Sequence, residues 1–226
     1  MLRDLAIANN ISWYGAICGA HGLTFQATPS SWHCLAPVPP YYSNLIVGPD
    51  TDPAPLVSRL DEGLTHWSVK DTHATHDFSA YGLHKLFDAT WYGLPVRTQM
   101  QPSSNVAVVS NRHEFDQWIN AWGETPDGKT VFPTPLYRHP QLQFVARMEN
   151  GTMAAGLATN VSVLNGQSCV GISNRFGEDA PWLECVRYVR DAYPHLPIVG
   201  YDRLQDFKLL EALGFQRLGP LTVWIK

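Results

Sequence analysis

The chain has 226 residues, of which 45% are hydrophobic, 12% aromatic and only 16% charged, and its formal net charge is −4. This composition excludes intrinsic disorder, because disordered chains combine low hydrophobicity with high charge. The negative charge argues against nucleic-acid binding, which usually requires a basic excess, and no apolar run is long enough to span a membrane.

The N-terminal segment is apolar enough to suggest a secretory leader at first sight. Asp4, however, lies where a leader is basic, and polar residues between Asn9 and Ser12 interrupt the apolar stretch. We therefore interpret it as part of the folded protein. The four cysteines are scattered and form no CxxC pair, which predicts buried, reduced thiols and a cytoplasmic location. They are Cys18, Cys34, Cys169 and Cys185.

A change of composition divides the chain in two. Residues 93–104 contain two prolines, one glycine and two serines and show no hydrophobic period, which is typical of a linker. We predict a first segment at 1–97, a linker at 98–104 and a second segment at 105–226.

The second segment carries a clear pattern of secondary structure. Strands are predicted at 105–110, 142–148, 153–163, 168–173, 198–201 and 215–225, and helices at 112–122, 181–193 and 206–213, with one helical turn at 135–139. Two Asn-Gly pairs predict tight hairpin turns between the middle strands. An antiparallel meander followed by a β-α-β crossover predicts the α+β (mixed α/β) class.

Three stretches of the second segment resemble a GNAT-superfamily N-acetyltransferase domain. They are FVARMENGTMAAGLATNVS, VGISNRFGEDAPWLECVRYVRDAYPHLPIVGYD and the terminal LLEALGFQRLGPLTVWIK. The resemblance implies a GNAT-like mixed sheet flanked by helices. It also implies an acyl-CoA-dependent N-acyltransferase that uses acetyl-CoA as co-substrate and a small-molecule amine as acceptor.

The first segment contains a weak repeat of the sequence pattern at the end of the second segment. Gly82 and Trp91 are nine residues apart, and Gly214 and Trp224 are ten apart. The resemblance then implies a tandem arrangement, in which 1–97 is a partial, degenerate GNAT-like half that supplies structure or a wall of the substrate cleft.

In this family a Q/R-x-x-G-x-G/A loop binds the pyrophosphate through backbone N–H groups at a helix N-terminus. Arg175 matches the first position and Ala180 the last, but Glu178 replaces the central glycine and Asp179 follows it. These two carboxylates either repel the pyrophosphate or simply interact favourably with the dipole of the following helix. The resemblance assigns the cofactor to Ile172, Ser173, Asn174, Arg175, Gly177 and Ala180.

The catalytic residues are less clearly marked. Many family members carry a tyrosine four residues before the glycine of the Leu-Gly-Phe segment, where this chain has Leu210. Tyr201 and Asp202, at the end of the preceding strand, are the candidate catalytic residues. A half-buried structural tyrosine is the alternative interpretation of Tyr201.

Two other functions are kept as alternatives. The first is a non-catalytic GNAT-like protein that has lost CoA binding and binds a small molecule or a partner, a second copy of the chain included. The second is a metal-assisted hydrolase that uses His73 and His76, although we predict no metal site. The aromatic, proline-rich stretch 31–42 is interpreted as a rigid loop or as the wall of a substrate pocket.

Overall fold

A computed structural model of the chain describes residues 1–96, 100, 105–123, 130–203 and 207–226. The strands are β1 (Gln26–Ala27), β2 (Trp32–His33), β3 (Leu45–Val47), β4 (Ser68–Asp71), β5 (His84–Leu94), β6 (Val106–Val108), β7 (Leu142–Glu149), β8 (Thr152–Leu164), β9 (Gln167–Gly177), β10 (Ile198–Asp202) and β11 (Gln216–Ile225). The α-helices are α1 (Leu2–Ala20), α2 (Ala54–Gly63), α3 (Arg112–Trp122), α4 (Asp179–Ala192) and α5 (Phe207–Ala212). Two 3₁₀ turns lie at Phe78–Tyr81 and Thr134–Arg138.

The strands form one mixed sheet in the order β1-β2-β3-β4-β11-β5-β10-β9-β8-β7-β6. Alternate residues of β7 go to opposite faces, as the period of a strand requires. Phe144 and Ala146 pack in the cluster that contains α1 and α3, whereas Val145 packs in the cluster that contains α4 and α5. Helices therefore cover both faces, and the predicted α+β architecture is confirmed.

Strand β5 from the first segment lies inside the sheet of the second. It pairs antiparallel with β11, from Gly93–Gln216 to His84–Ile225, and on its other side with β10. Strand β11 in turn pairs with β4. The two segments thus share one continuous hydrogen-bonded sheet.

The same order of elements occurs twice along the chain. The series β3-α2-β4-3₁₀-β5 matches β9-α4-β10-α5-β11, and the first two strands of each series are parallel neighbours. Gly82 and Gly214 precede the last strands with φ angles of 76° and 89°, which favour glycine. The division at 97 and 105 stays a prediction, since the linker, apart from Met100, lies outside the described residues. Gly93 and Leu94, at the start of the predicted break, belong to β5.

The second segment follows the predicted element order closely. Helix α3 has the predicted bounds, and both Asn-Gly pairs have positive φ angles, 49° and 78° at Asn150 and Gly151. Most boundaries agree within one or two residues, and two differences bear on the site. Strand β9 continues to Gly177 instead of ending at Ser173, and α4 begins two residues before Pro181. Residue 206, the predicted start of the next helix, lies outside the described residues.

Helix α1 was not predicted as a helix, although the segment is folded as expected. Its buried residues include Leu5, Ile11, Tyr14 and the polar Asn9, so they do not form a single stripe. A helix enclosed on several sides has no clear amphipathic period. All four cysteines are free and buried, as predicted. None of the helices in the described ranges combines the length and apolarity that crossing a membrane requires.

Candidate functional site

A cleft opens in the sheet where two parallel strands separate. Strands β9 and β10 pair only at Val170–Ile198 and Gly171–Val199. Beyond these residues β10 stays paired with β5 and β9 with β8, so their facing edges diverge. A cavity of about 420 Å³ lies at this divergence. Ligands of open α/β-type sheets bind at such points, where neighbouring strands lead apart.

Strand β9 carries a bulge at the mouth of this cavity. Ala158 of β8 faces Ser173, but Gly156 faces Phe176, so β9 contains one extra residue over this interval. Asn174 lies within it and has a φ angle of 52°. A bulge leaves the extra residue of the strand unpaired in the ladder and redirects the strand, and Asn174 lines the cavity.

The structure brings six of the eight predicted site residues to this cavity. Those lining it are Ile172, Ser173, Asn174, Arg175, Tyr201 and Asp202. Gly177 and Ala180 lie outside the lining. A Cβ on Gly177 would lie 2.2 Å from the carbonyl oxygen of Ala154, so its missing side chain allows packing against β8. The functional roles of all eight residues remain predictions.

The guanidinium of Arg175 is held by neighbours at the N-terminus of α4. It lies 2.5 Å from the carboxylate of Asp179 and 3.9 Å from that of Asp202. It also stacks over the indole of Trp182, 4.3 Å from the ring centroid. Asp179 is therefore neutralised by Arg175, whereas Glu178 precedes the helix without a side-chain capping bond.

Tyr201 lies in the interior of the cleft. Its ring meets Trp91 edge-on at 5.4 Å, and the ammonium of Lys70 lies 4.2 Å from its centroid. Burial, reinforced by the negative charge of Asp202, raises the pKa of Tyr201 to about 12. The phenol is consequently protonated at neutral pH and able to donate a proton.

Much of the cavity wall comes from the first segment and was not predicted residue by residue. Helix α1 supplies Asn10, Trp13 and Tyr14, the loop before β3 supplies Tyr41 and Tyr42, and β5 supplies Phe87, Trp91 and Tyr92. Two signals in the sequence pointed to this wall, the aromatic, proline-rich stretch 31–42 and the tandem resemblance of 1–97. The α1 residues carried no such signal, because only tertiary packing brings that helix to the cleft.

The histidines of the hydrolase alternative are engaged elsewhere. The buried carboxylate of Asp71 accepts hydrogen bonds from the backbone N–H groups of the following turn, including those of His73 and His76. The rings of His73 and His76 bond to the Thr72 hydroxyl and the Thr51 carbonyl, respectively. Within the described residues, no group of three or more His, Cys, Asp or Glu side chains is arranged to hold a metal ion.

Leu210, at the position where the family often has its tyrosine, is buried in the core cluster with α4. A side chain of this kind has no proton to donate. Tyr201 and Tyr92 are the phenols that line the cavity from β10 and β5. Burial and the charge of Asp202 also raise the pKa of Tyr92.

Solved structures with the same architecture include GNAT proteins. A putative GNAT-family acetyltransferase from Novosphingobium aromaticivorans is 12% identical, with a TM-score of 0.62 over 97% of both chains. The chain has a GNAT-superfamily fold. A GCN5-related N-acetyltransferase from Kribbella flavida is 11% identical, with a TM-score of 0.61 over 98% of this chain and 96% of that one.

A conserved protein of unknown function from Staphylococcus epidermidis also shares this fold. It is 9% identical, with a TM-score of 0.62 over 89% of this chain and 92% of that one. No protein-family model matches the sequence, and no curated protein matches it. The similarity to the GNAT structures spans the first segment as well as the second, so the whole chain follows one fold.

The cleft fits the acyl arm of acyl-CoA better than its phosphates. The diverging edges and the bulge offer backbone groups to an extended amide chain. The buried indole Nε1 of Trp182, which belongs to the cavity wall, has no acceptor in the described part of the chain. At the loop before α4, by contrast, Glu178 occupies the position where glycine would let the backbone come close to a phosphate.

Proposed function

We propose that the protein is an acyl-CoA-dependent N-acyltransferase, with acetyl as the acyl group and a small-molecule amine as acceptor. The observation that carries the proposal is the divergence of β9 and β10 at the bulge around Asn174, with Tyr201 and Asp202 on the opposite side of the same cavity. A cleft of this kind gives a thioester an extended binding edge and places a protonated phenol beside it.

The acyl-CoA would be held mainly by backbone. The edge of β9 from Ile172 to Asn174 would pair with the amides of the pantetheine arm, and the orphaned indole N–H of Trp182 would donate a further bond. Arg175 would contact the pyrophosphate after exchanging its bond with Asp179 for one with phosphate. Gly200 lines the same cavity, and a Cβ there would lie 2.5 Å from the Tyr92 hydroxyl, so glycine lets Tyr92 pack against β10.

The reaction needs positioning and two proton movements. The neutral amine nitrogen attacks the thioester carbonyl carbon, the new C–N bond forms and the C–S bond breaks. The amine releases one proton to solvent water at the mouth of the cleft, and the departing thiolate takes one from Tyr201, whose phenol lines the cavity and is protonated at neutral pH. Solvent water then returns a proton to Tyr201. Asp202 attracts the acceptor's ammonium group into the cleft before deprotonation.

The test combines binding and turnover. Acetyl-CoA should bind the purified protein in calorimetry, and thiol release should follow when primary amines are added. Tyr201→Phe should lower kcat by roughly a hundredfold and leave the affinity for acetyl-CoA unchanged, because only proton donation is removed. Lack of binding at millimolar acetyl-CoA would contradict the proposal.

Tyr188→Phe is the matched control. Tyr188 lies on α4 and does not line the cavity, so its hydroxyl should not affect turnover. If Tyr201→Phe is as active as Tyr188→Phe, Tyr201 is not the acid.

A GNAT-like protein that does not bind CoA is the second candidate function. It is favoured by Glu178 at the phosphate loop and by the ion pair between Arg175 and Asp179, which occupies the cation that the resemblance assigns to the phosphate. An anion that approaches this helix N-terminus also meets the negative charge of Glu178.

Glu178→Gly separates the two functions. The change removes one charge and lets backbone approach a phosphate closely. If the protein is an active transferase, the dissociation constant for acetyl-CoA should fall by about tenfold or less. Binding that exists only in the variant identifies the natural chain as one that has lost the cofactor.

A further inference from the structure

A second cavity of about 460 Å³ adjoins the first. Six residues line both cavities, which therefore share a wall: Tyr14, Tyr41, Tyr42, Phe87, Tyr201 and Arg203. The lining of the second cavity is largely apolar and comes mainly from the loop at 37–44 and from the segment at 66–70. The cavity has the size and lining of a small-molecule site.

Lys70 lies in this second cavity with almost its whole surface buried, 1% being exposed. Its Nζ donates one hydrogen bond, 2.9 Å long, to Oδ1 of Asn10, and faces the rings of Tyr14 and Tyr201 at 4.7 and 4.2 Å. In the described part of the chain no carboxylate forms an ion pair with it. Buried charges are normally paired, because leaving water costs a lone ion several kcal/mol.

The charges around the second cavity have one sign. Arg203 lines both cavities, and its guanidinium stacks on Phe87 at 4.3 Å without an ion pair to the described residues. No Asp or Glu belongs to the described residues that line the second cavity. Among the described residues that line either cavity, the one carboxylate is that of Asp202, which lies on the first cavity.

The rim of the second cavity exposes apolar side chains. Tyr41 is 72% exposed and Leu86 is 52% exposed, both unusual for large hydrophobic residues in this chain. The φ angle of Tyr41 is 72°, a conformation that a bulky residue adopts at some cost. An apolar ligand body entering here would cover both side chains.

From this arrangement we infer that the second cavity binds the acceptor, and that the acceptor is an amino carboxylic acid with an apolar or aromatic body. Its carboxylate pairs with Lys70 and Arg203, and its ammonium points to Asp202 in the first cavity. The inference rests on the proposed transferase function for the role of the amine, but the carboxylate site stands on the cavity alone.

Burial lowers the pKa of Lys70 to about 7, which agrees with a cation that lacks a partner. A ligand carboxylate would supply that partner and hold the amine in the protonated form. Charge-assisted hydrogen bonds of this kind are stronger than those between neutral groups.

The test compares three probes that share a phenyl ring: phenylalanine, phenylpropionate without the amine, and phenethylamine without the carboxylate. Calorimetry on the full chain without acyl-CoA should show binding of the first two and about tenfold weaker binding of phenethylamine. Equal affinity for all three, or binding of phenethylamine alone, overturns the inference.

Two variants test the role of Lys70. Lys70→Met should remove the preference for carboxylates by deleting the cation. Asn10→Asp should also remove it, because the new carboxylate would pair with the ammonium from 2.9 Å away. Lys85→Met, which changes an exposed lysine paired with Asp88, is the control and should keep the preference. If Lys70→Met does not fold, Asn10→Asp provides the test: a carboxylate preference that persists in this variant overturns the inference.

Failure of this inference is distinguishable from failure of the proposed function. Acyl transfer to phenethylamine as efficient as to phenylalanine overturns the inference and leaves the transferase. Binding of phenylpropionate that depends on Lys70, without acyl transfer to any amine, supports the carboxylate site and contradicts the transferase.

Discussion

Lys70 keeps its amine inside the protein with one hydrogen bond and two tyrosine rings around it. The ring faces attract a cation and partly offset the loss of water. Its strand β4 is buried at all four positions, so an alternation of buried and exposed residues does not mark Lys70 as internal. In the sequence it resembles an ordinary surface lysine.

The lowered pKa of Lys70 predicts a specific pH dependence of stability. Between about pH 7 and the usual lysine pKa of 10.5, the unfolded chain binds a proton that the folded chain has released. Raising the pH in this window therefore stabilises the fold. The gain is on the order of 3 kcal/mol between pH 7 and about pH 9.5.

Denaturant unfolding across this pH range measures the effect. Lys70→Met should lack the gain, whereas the exposed-site control Lys85→Met should keep it. The comparison of variants is needed because burial also raises the pKa of the Cys18 and Cys185 thiols to about 12, which lowers stability with rising pH. Identical pH slopes for wild type and Lys70→Met would contradict the prediction.

Helix α1 is fixed to the sheet by paired amides. The side chain of Asn9 donates to the Asn160 carbonyl oxygen and to the Ser162 hydroxyl, and Asn160 donates back to the carbonyl oxygen of Asn9. These bonds lie directly over Gly171, where β9 last pairs with β10. The anchor of α1 and the opening of the cleft therefore share one position on the sheet.

Gly171→Ala should loosen this anchor. A Cβ at Gly171 would lie 1.8 Å from Oδ1 of Asn9, so the amide must move and its buried bonds break. We expect a loss of about 2–4 kcal/mol in the free energy of unfolding.

Gly19→Ala is the matched control on α1. A Cβ at Gly19 meets no atom within 4 Å, and alanine favours helix, so this variant should be as stable as wild type or more so. Chemical denaturation measures both variants. Equal unfolding midpoints for the two variants would mean that the Asn9 side chain moves aside without a loss of stability.

At the level of elements, the sequence predicted the second segment well because its signals are local. Asn-Gly turns, a helical spacing in α3 and a glycine after α5 each depend on a few neighbouring residues. The continuation of β9 past Ser173 was missed, since the bulge at Asn174 depends on register with β8. The start of α4 was set two residues late because proline was taken as its first position.

At the scale of the whole molecule, strand β5 joins the two segments of the chain into one sheet. This strand, from the first segment, separates β10 from β11 and hydrogen-bonds to both. A fragment of residues 105–226 lacks both β4 and β5, so β11 loses its neighbours on both sides and β10 loses one. Each open edge carries unpaired backbone groups and buried apolar side chains.

We expect that fragment not to unfold cooperatively on its own. The full chain should show a single cooperative transition in thermal circular dichroism. Co-expression of residues 1–97 should restore a folded complex, because β5 can then insert. A fragment 105–226 that unfolds cooperatively near the midpoint of the full chain would show that the second segment is an independent domain.

By itself the sequence determined the element order of the second segment, the α+β class and the resemblance to GNAT proteins, because these follow from local periodicity and turn chemistry. It also named six residues that line the cleft. Only the tertiary structure decided which strand fills the centre of the sheet, that α1 forms a wall of the cleft, and that Lys70 is buried without a carboxylate partner among the described residues. Strand order and burial arise from contacts between residues far apart in the chain, and no local pattern encodes such contacts.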